Sequence, residues 1–158
     1  MSAPMIDPPR ILEVPARPLA IVRLTIPRED IRHVMGPGIS EIYAALGAQG
    51  VAPAGRWLTH HLRMAPDVFD FEIAVPVPAP IIPVGRVTNG TLPAARVAQT
   101  LYRGGYEGLG EAWGRFMAWI AAEGLTPAED LWETYLTDPA TVTDPGKYQT
   151  ELTRPIVG

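Results

Sequence analysis

With 158 residues, 47% hydrophobic and 19% charged, the chain is long enough for one globular domain or two small halves and too short for a large multidomain enzyme. A formal charge of -4 with scattered basic residues leaves no electrostatic footprint for a phosphate backbone, so no direct nucleic-acid binding is expected. The lack of cysteine excludes disulfide frameworks, thiol catalysis and cysteine-ligated zinc.

The opening "MSAPMIDPPR" has no apolar core of signal-peptide length, and nowhere do about 18 consecutive apolar residues occur. A cytoplasmic protein without a membrane partner is expected. Residues 1–9 read as a flexible tail. Eighteen prolines and fifteen glycines argue for many short elements with frequent turns rather than a helical bundle.

From Arg10 onward a weak internal repeat organises the chain. "VPARPLAIVRL" from Val14 resembles "LPAARVAQTL" from Leu92, each a Pro-Ala turn followed by a strand-like run. "GISEIY" from Gly38 resembles "GLGEAW" from Gly108, with each glycine opening a helical pattern. "GVAP" at Gly50 matches "GLTP" at Gly124, two helix exits with proline shortly after. "DFEIAVPV" from Asp70 parallels "QTELTRPI" from Gln149.

The periodicities fit this plan. Ile39, Ile42, Tyr43 and Leu46 make one helix face, and Leu109, Ala112, Trp113, Phe116 and Ile120 make another. Arg56 to Arg63, Val68 to Val77, Leu131 to Thr137 and Tyr148 to Ile156 read as strands paired within each half. "PREDI" from Pro27 reads as a solvated loop or helix start, and "TDPATVTDP" as turn chemistry. Each half is a strand, a helix and a two-stranded hairpin, with an extra strand leading in. Val84 to Arg103, turning near "NGTLPA", joins the halves. A boundary near Pro80 to Pro83 gives a first repeat of residues 10–80 and a second of 81–158.

One strand carries an unexpected residue, Glu133 in "LWETYL". Alternation places Leu131, Glu133 and Tyr135 on one face, and Trp132, Thr134 and Leu136 on the other. Trp132 and Leu136 suit the helix, so Glu133 is expected to point away from it. A hairpin turning near Val142 without a bulge sets Tyr148 opposite Tyr135 and Thr150 opposite Glu133. The repeat puts Thr59, His61, Phe69 and Phe71 at the matching positions of the first half. Two such sheets facing each other would enclose an aromatic cleft with one acid.

"YRGGYEGLGEAWGRFMAWIAAEGL", "WETYLTDPATV" and the closing "TELTRPI" resemble the GyrI-like small-molecule-binding family, the effector-binding fold of AraC-type and MerR-type multidrug-sensing regulators. The resemblance covers nearly the whole chain after Arg10 and is strongest from Leu92. It implies an α+β fold of two pseudo-twofold related βαββ-type (SHS2-like) repeats with antiparallel sheets and a ligand cleft between them. It also implies an aromatic-lined pocket whose glutamate contacts a ligand, often a lipophilic cation. Glu133 matches that acid, and Tyr148 falls where the last hairpin strand supplies an aromatic. Tyr106 in "RGGYEG" matches the lead-in to the second helix, with Gly105 in place of the usual proline. Candidate ligand contacts are thus Glu133, Tyr135, Tyr148, Tyr106, Trp113, His61 and Phe71, although His61 has no firm functional counterpart in the family.

Plainer readings compete with these. Glu133 could form a salt bridge to Arg63 or Arg96 or sit exposed at a sheet edge, and Trp113 and Trp119 read more readily as helix core or cover. His60 and His61 are adjacent on a strand, point to opposite faces and do not make a metal site, with His33 far away in sequence. No metal or cofactor is expected. Three functions follow, headed by a stand-alone small-molecule-binding protein that captures or senses lipophilic aromatic compounds. Any transcriptional role would run through a regulator or other protein partner, because no helix-turn-helix precedes Arg10. The alternative is a hydrolase detoxifying cyclopropane-bearing alkylating natural products, with Glu133 and Tyr135 as its catalytic pair. A DNA gyrase inhibitor comes third, since -4 is a modest charge for nucleic-acid mimicry.

Overall fold

The structure is a computed structural model that describes residues 5–64, 67–137 and 141–157. Its strands are β1 (Met5–Ile6), β2 (Arg10–Val14), β3 (Arg17–Pro27), β4 (Leu58–Met64), β5 (Val68–Pro76), β6 (Thr88–Leu92), β7 (Ala95–Arg103), β8 (Thr126–Pro127), β9 (Leu131–Tyr135) and β10 (Gln149–Val157). The helices are α1 (Ile31–Ala48) and α2 (Leu109–Ala122). The fold is α+β with antiparallel strand pairing throughout. Among the described residues no helix is long and apolar enough to cross a membrane.

Two compact units emerge, one of Pro15–Ala94 and one of Met1–Val14 with Ala95–Gly158. This differs from the expected division near Pro80 to Pro83. Strand β6, beyond that boundary, pairs with β3, while β2, at the start of the expected first repeat, pairs with β7. "VPAR" and "LPAA" are therefore crossovers between units rather than hairpin turns. A two-residue hairpin needs residues at positive φ, which Pro-Ala does not supply, and among the described residues no non-glycine residue adopts it. The expected tail is also partly structured: Met5–Ile6 pair with β7, and the Asp7 amide donates to the Leu101 carbonyl at 2.9 Å. Residues 1–4 lie outside the described residues, as do 138–140 within the expected "TDPATVTDP" turn.

In the unit 15–94, strands run β4-β5-β3-β6. Helix α1 seats Ile42, Ala45 and Leu46 on Ala20, Val22, Phe71, Ile73 and Val75. Tyr43, expected on that face, is 38% exposed, and Ala45 takes the place. The helix also begins at Ile31, seven residues before Gly38, after a single 3-10 turn at Arg28–Asp30. Gly38 is instead a packing residue, because a Cβ there would strike the buried Ile73 side chain.

In the other unit, β7, β10 and β9 lie side by side, with β1 and β2 on the outer edge of β7. The expected stripe of α2 is the observed one: Ala112, Phe116 and Ile120 are fully buried against Ala98, Tyr102, Leu152 and Ile156.

Both helices end alike. Gly50 and Gly124 take φ of 67° and 71°, and the next amides, Val51 and Leu125, reach back to the carbonyls of Leu46 and Ile120 at 2.9 and 3.1 Å. These are Schellman caps that depend on a left-handed residue. Gly124→Ala should cost about 1–2 kcal/mol, the strain of an L side chain in that region, and show as a lower denaturation midpoint without loss of fold.

Candidate functional site

Glu133 occupies the middle of β9, a five-residue strand whose burial on both faces hides which side the helix takes. Cross-strand pairing settles it. Glu133 lies opposite Leu152, and Leu152 belongs to the core under α2. Leu131, Glu133 and Tyr135 therefore face the helix, contrary to expectation, and Trp132 pairs with Thr153 on the other face. Apolarity of Trp132 misled because it is buried as well, at 4% exposure.

The register also differs from the unbulged hairpin, by two residues. Thr150, not Tyr148, lies opposite Tyr135. A 3-10 turn at Pro145–Lys147 consumes the residues that would have extended the strand, and Tyr148 closes it by donating its amide to the Pro145 carbonyl at 3.1 Å. A shift of two preserves every face, so the alternation survives the error.

The helix-facing position gives Glu133 two donors. Trp113, on the first turns of α2, donates its indole Nε1–H to Oε2 at 2.6 Å, and the Tyr135 hydroxyl donates to Oε1 at 2.6 Å. Burial pushes the Glu133 pKa up, and the hydrogen bonds from Tyr135 and Trp113 offset only part of that. Among the described residues no basic side chain pairs with it. Arg63 is engaged by Asp70 at 3.3 Å, and Arg96 is solvent-exposed.

Aromatic rings border this acid. Tyr106 stands perpendicular to Tyr135, with centroids 6.1 Å apart, and packs on Tyr148 at 5.2 Å. Tyr106 is 40% exposed and forms the open side of the cluster. The "RGGYEG" loop is pinned by Tyr102, whose buried hydroxyl donates to the Gly105 carbonyl at 2.7 Å. That hydroxyl fills the space a side chain at Gly104 or Gly108 would need.

Five of the seven candidate contacts, Glu133, Tyr135, Tyr148, Tyr106 and Trp113, thus come together within one unit. His61 and Phe71 belong to the other, where His61 stacks on Phe71 at 5.3 Å and meets Phe69 edge-on at 5.2 Å. Burial, with the charges of His60 and Arg28, lowers the His61 pKa to about 4, so the ring is neutral. Sequence reasoning missed Trp113 as the donor to Glu133, and nothing in an amphipathic stripe separates a donor from a filler. Thr150, expected opposite Glu133, lies across the ladder from Tyr135, and its fully buried hydroxyl has no partner among the described residues. No group of three or more His, Asp or Glu side chains among the described residues is disposed to hold a metal ion.

The sequence matches the GyrI-like small molecule binding domain over residues 7–157, and the chain belongs to that family. No curated protein matches the sequence. Among solved structures, the EcmrR C-terminal domain superposes with a TM-score of 0.83 at 18% identity over 95% of this chain and 97% of that one. EcmrR in its complex with DNA matches with a TM-score of 0.82 at 18% identity over 96% of this chain, which spans 57% of that longer chain. SAV2435 bound to tetraphenylphosphonium gives 0.65 at 13% identity, covering 96% and 95% of the two chains. A hydrolase from Listeria innocua gives 0.66 at 14% identity, covering 94% and 91%.

Two outcomes follow from the Glu133 geometry. Trp113→Phe strips one carboxylate oxygen of its donor, so it should raise the Glu133 pKa further and cost about 1–3 kcal/mol in denaturant unfolding. Because the folded pKa exceeds the ordinary 4.5, the folded protein holds a proton that the unfolded chain has released, and stability falls as pH rises through that interval. Glu133→Gln, whose amide can serve both neighbours, escapes this loss. It should melt above wild type at pH 7, with the difference closing as pH is lowered toward 4.5.

Proposed function

We propose that this protein captures lipophilic aromatic compounds, cations above all, at the Glu133 cluster, and that it acts as a receptor or reports occupancy to a regulatory partner. The observation that carries the reading is the Glu133 carboxylate itself, largely withdrawn from water, doubly hydrogen-bonded and without a basic partner among the described residues. A carboxylate in that state carries an unrelieved desolvation cost, which an incoming cation would reduce. The Tyr106, Tyr135 and Tyr148 rings would add about 0.5–2 kcal/mol per cation contact and accept flat ligands of varied shape. Affinity would come mostly from apolar burial, with one charge for orientation. The tetraphenylphosphonium held by SAV2435 supports this choice of ligand class, by likeness of fold alone.

A second reading uses the same residues. Glu133, with a pKa raised toward the working range of a general base, and the adjoining Tyr135 hydroxyl form a pair able to deprotonate water and polarise a leaving group. Hydrolysis of strained cyclopropane-bearing alkylators is the reaction that this pair would serve.

One experiment separates the readings. Wild type and Glu133→Gln are titrated with tetraphenylphosphonium and with neutral triphenylphosphine oxide, and a cyclopropane-bearing alkylator is followed by mass spectrometry. The variant should bind the cation about tenfold less tightly and the oxide as before, since one charge contact is lost. Equal cation affinity in both proteins would refute the role of Glu133. Catalytic loss of the strained ring, abolished in the variant, would establish the hydrolase.

A further inference from the structure

The unit 15–94 holds a second cluster that owes nothing to Glu133. It is built from Arg28, on the 3-10 turn after β3, with His61 of β4 and Phe69 and Phe71 of β5. The Arg28 guanidinium carbon lies 4.5 Å from the centroid of the Phe69 ring, and the His61 ring meets Phe69 from another side at 5.2 Å. His61 is held flat against Phe71, its cross-strand neighbour, just before the bulge that separates it from Arg63.

Two nitrogens in this cluster are shut away from water without a partner among the described residues, Nε of Arg28 and Nδ1 of His61. His61 is only 7% exposed. Buried polar atoms left unpaired are rare in folded proteins and mark places where something else completes the structure. Arg28 Nε–H can only donate, and a neutral imidazole donates from Nδ1 once the proton sits there. The partner missing from Arg28 Nε is therefore an acceptor, and the His61 tautomer with its proton on Nδ1 can donate to the same group.

Charge sharpens this. Of the charged groups nearby, Asp70 engages Arg23 and Arg63, His60 lies 3.4 Å from Glu72, and Asp67, whose carbonyl accepts from the Arg28 amide at 3.2 Å, is exposed. Glu29 and Asp30, next in the chain, are exposed, and no carboxylate among the described residues pairs with Arg28. Phe69 and Arg28 are both only partly buried, which leaves an approach from solvent.

We propose that this cluster is a second binding site, for an aromatic carboxylate whose oxygens accept from Arg28 Nε and His61 Nδ1 while its ring packs on Phe69. The proposal stands independently of cation capture at Glu133. It gives the protein two ligand preferences of opposite charge on its two units.

The test titrates the full chain with 2-naphthoate and its neutral amide by calorimetry, alongside Arg28→Gln and His61→Phe, which keeps the stacking on Phe71. Naphthoate should bind better than the amide, and each variant should weaken it by about tenfold or more, the loss of one charge-assisted contact. The His61 imidazole resonance, recognised by its absence in His61→Phe, should shift as naphthoate is added. Arg28→Gln should leave tetraphenylphosphonium binding as it is, so failure here is distinguishable from failure at Glu133. Undetectable naphthoate binding, equal affinity in Arg28→Gln, or tighter naphthoate binding in Glu133→Gln would overturn the proposal, the last by placing the acid at the Glu133 cluster.

Discussion

Drawing a carboxylate largely out of water is costly, and the arrangement around Glu133 answers that cost. Trp113 and Tyr135 each give one hydrogen bond, one to each oxygen, and this fixes the side-chain geometry without neutralising the charge. Had the carboxylate met an arginine, it would be a structural ion pair with no call on a ligand. The packing of α2, the short strand β9 and the pinned loop before the helix all contribute to keeping the acid in this unneutralised state.

Supporting that state requires a rigid frame. Leu152 sits opposite Glu133, and Phe116 and Ile120 press on the same core, so the strand cannot rotate the acid toward water without opening packed surface. Tyr102 anchors the lead-in loop through the Gly105 carbonyl, and that loop sets Tyr106 against Tyr148. Tyr106 keeps much of its ring in solvent, so it is the least confined ring of the cluster.

Much of this was legible in the sequence because it rests on local rules. The paired glycine exits at Gly50 and Gly124, the Ala112-Phe116-Ile120 stripe and the four hairpin strands follow from capping and periodicity. Glu133, Tyr135, Tyr148 and Tyr106 were also within reach, through alternation and family resemblance. The face of β9 was not, since both of its sides are apolar and only the partner Leu152 reveals which one meets α2. Nor were the donor role of Trp113, the two-residue shift at Tyr148, or the placing of Arg28 on Phe69. Each depends on contacts between residues distant in sequence or on a turn whose length the alternating pattern does not encode.

The crossovers at "VPAR" and "LPAA" carry a consequence for how the protein comes into being. Every strand of the unit 15–94 has been synthesised once Leu92 leaves the ribosome, so that unit can close early. The unit containing Glu133 is made of the two ends of the chain, with β1 and β2 waiting for β7. Strands β1 and β2 thus emerge well before the strand they pair with, and until then they are unpaired and able to meet the β7 edge of another copy. A fusion joined ahead of β1 would therefore burden the unit that contains Glu133, most of which follows only from Ala95 onward, and spare the unit 15–94 that lies between.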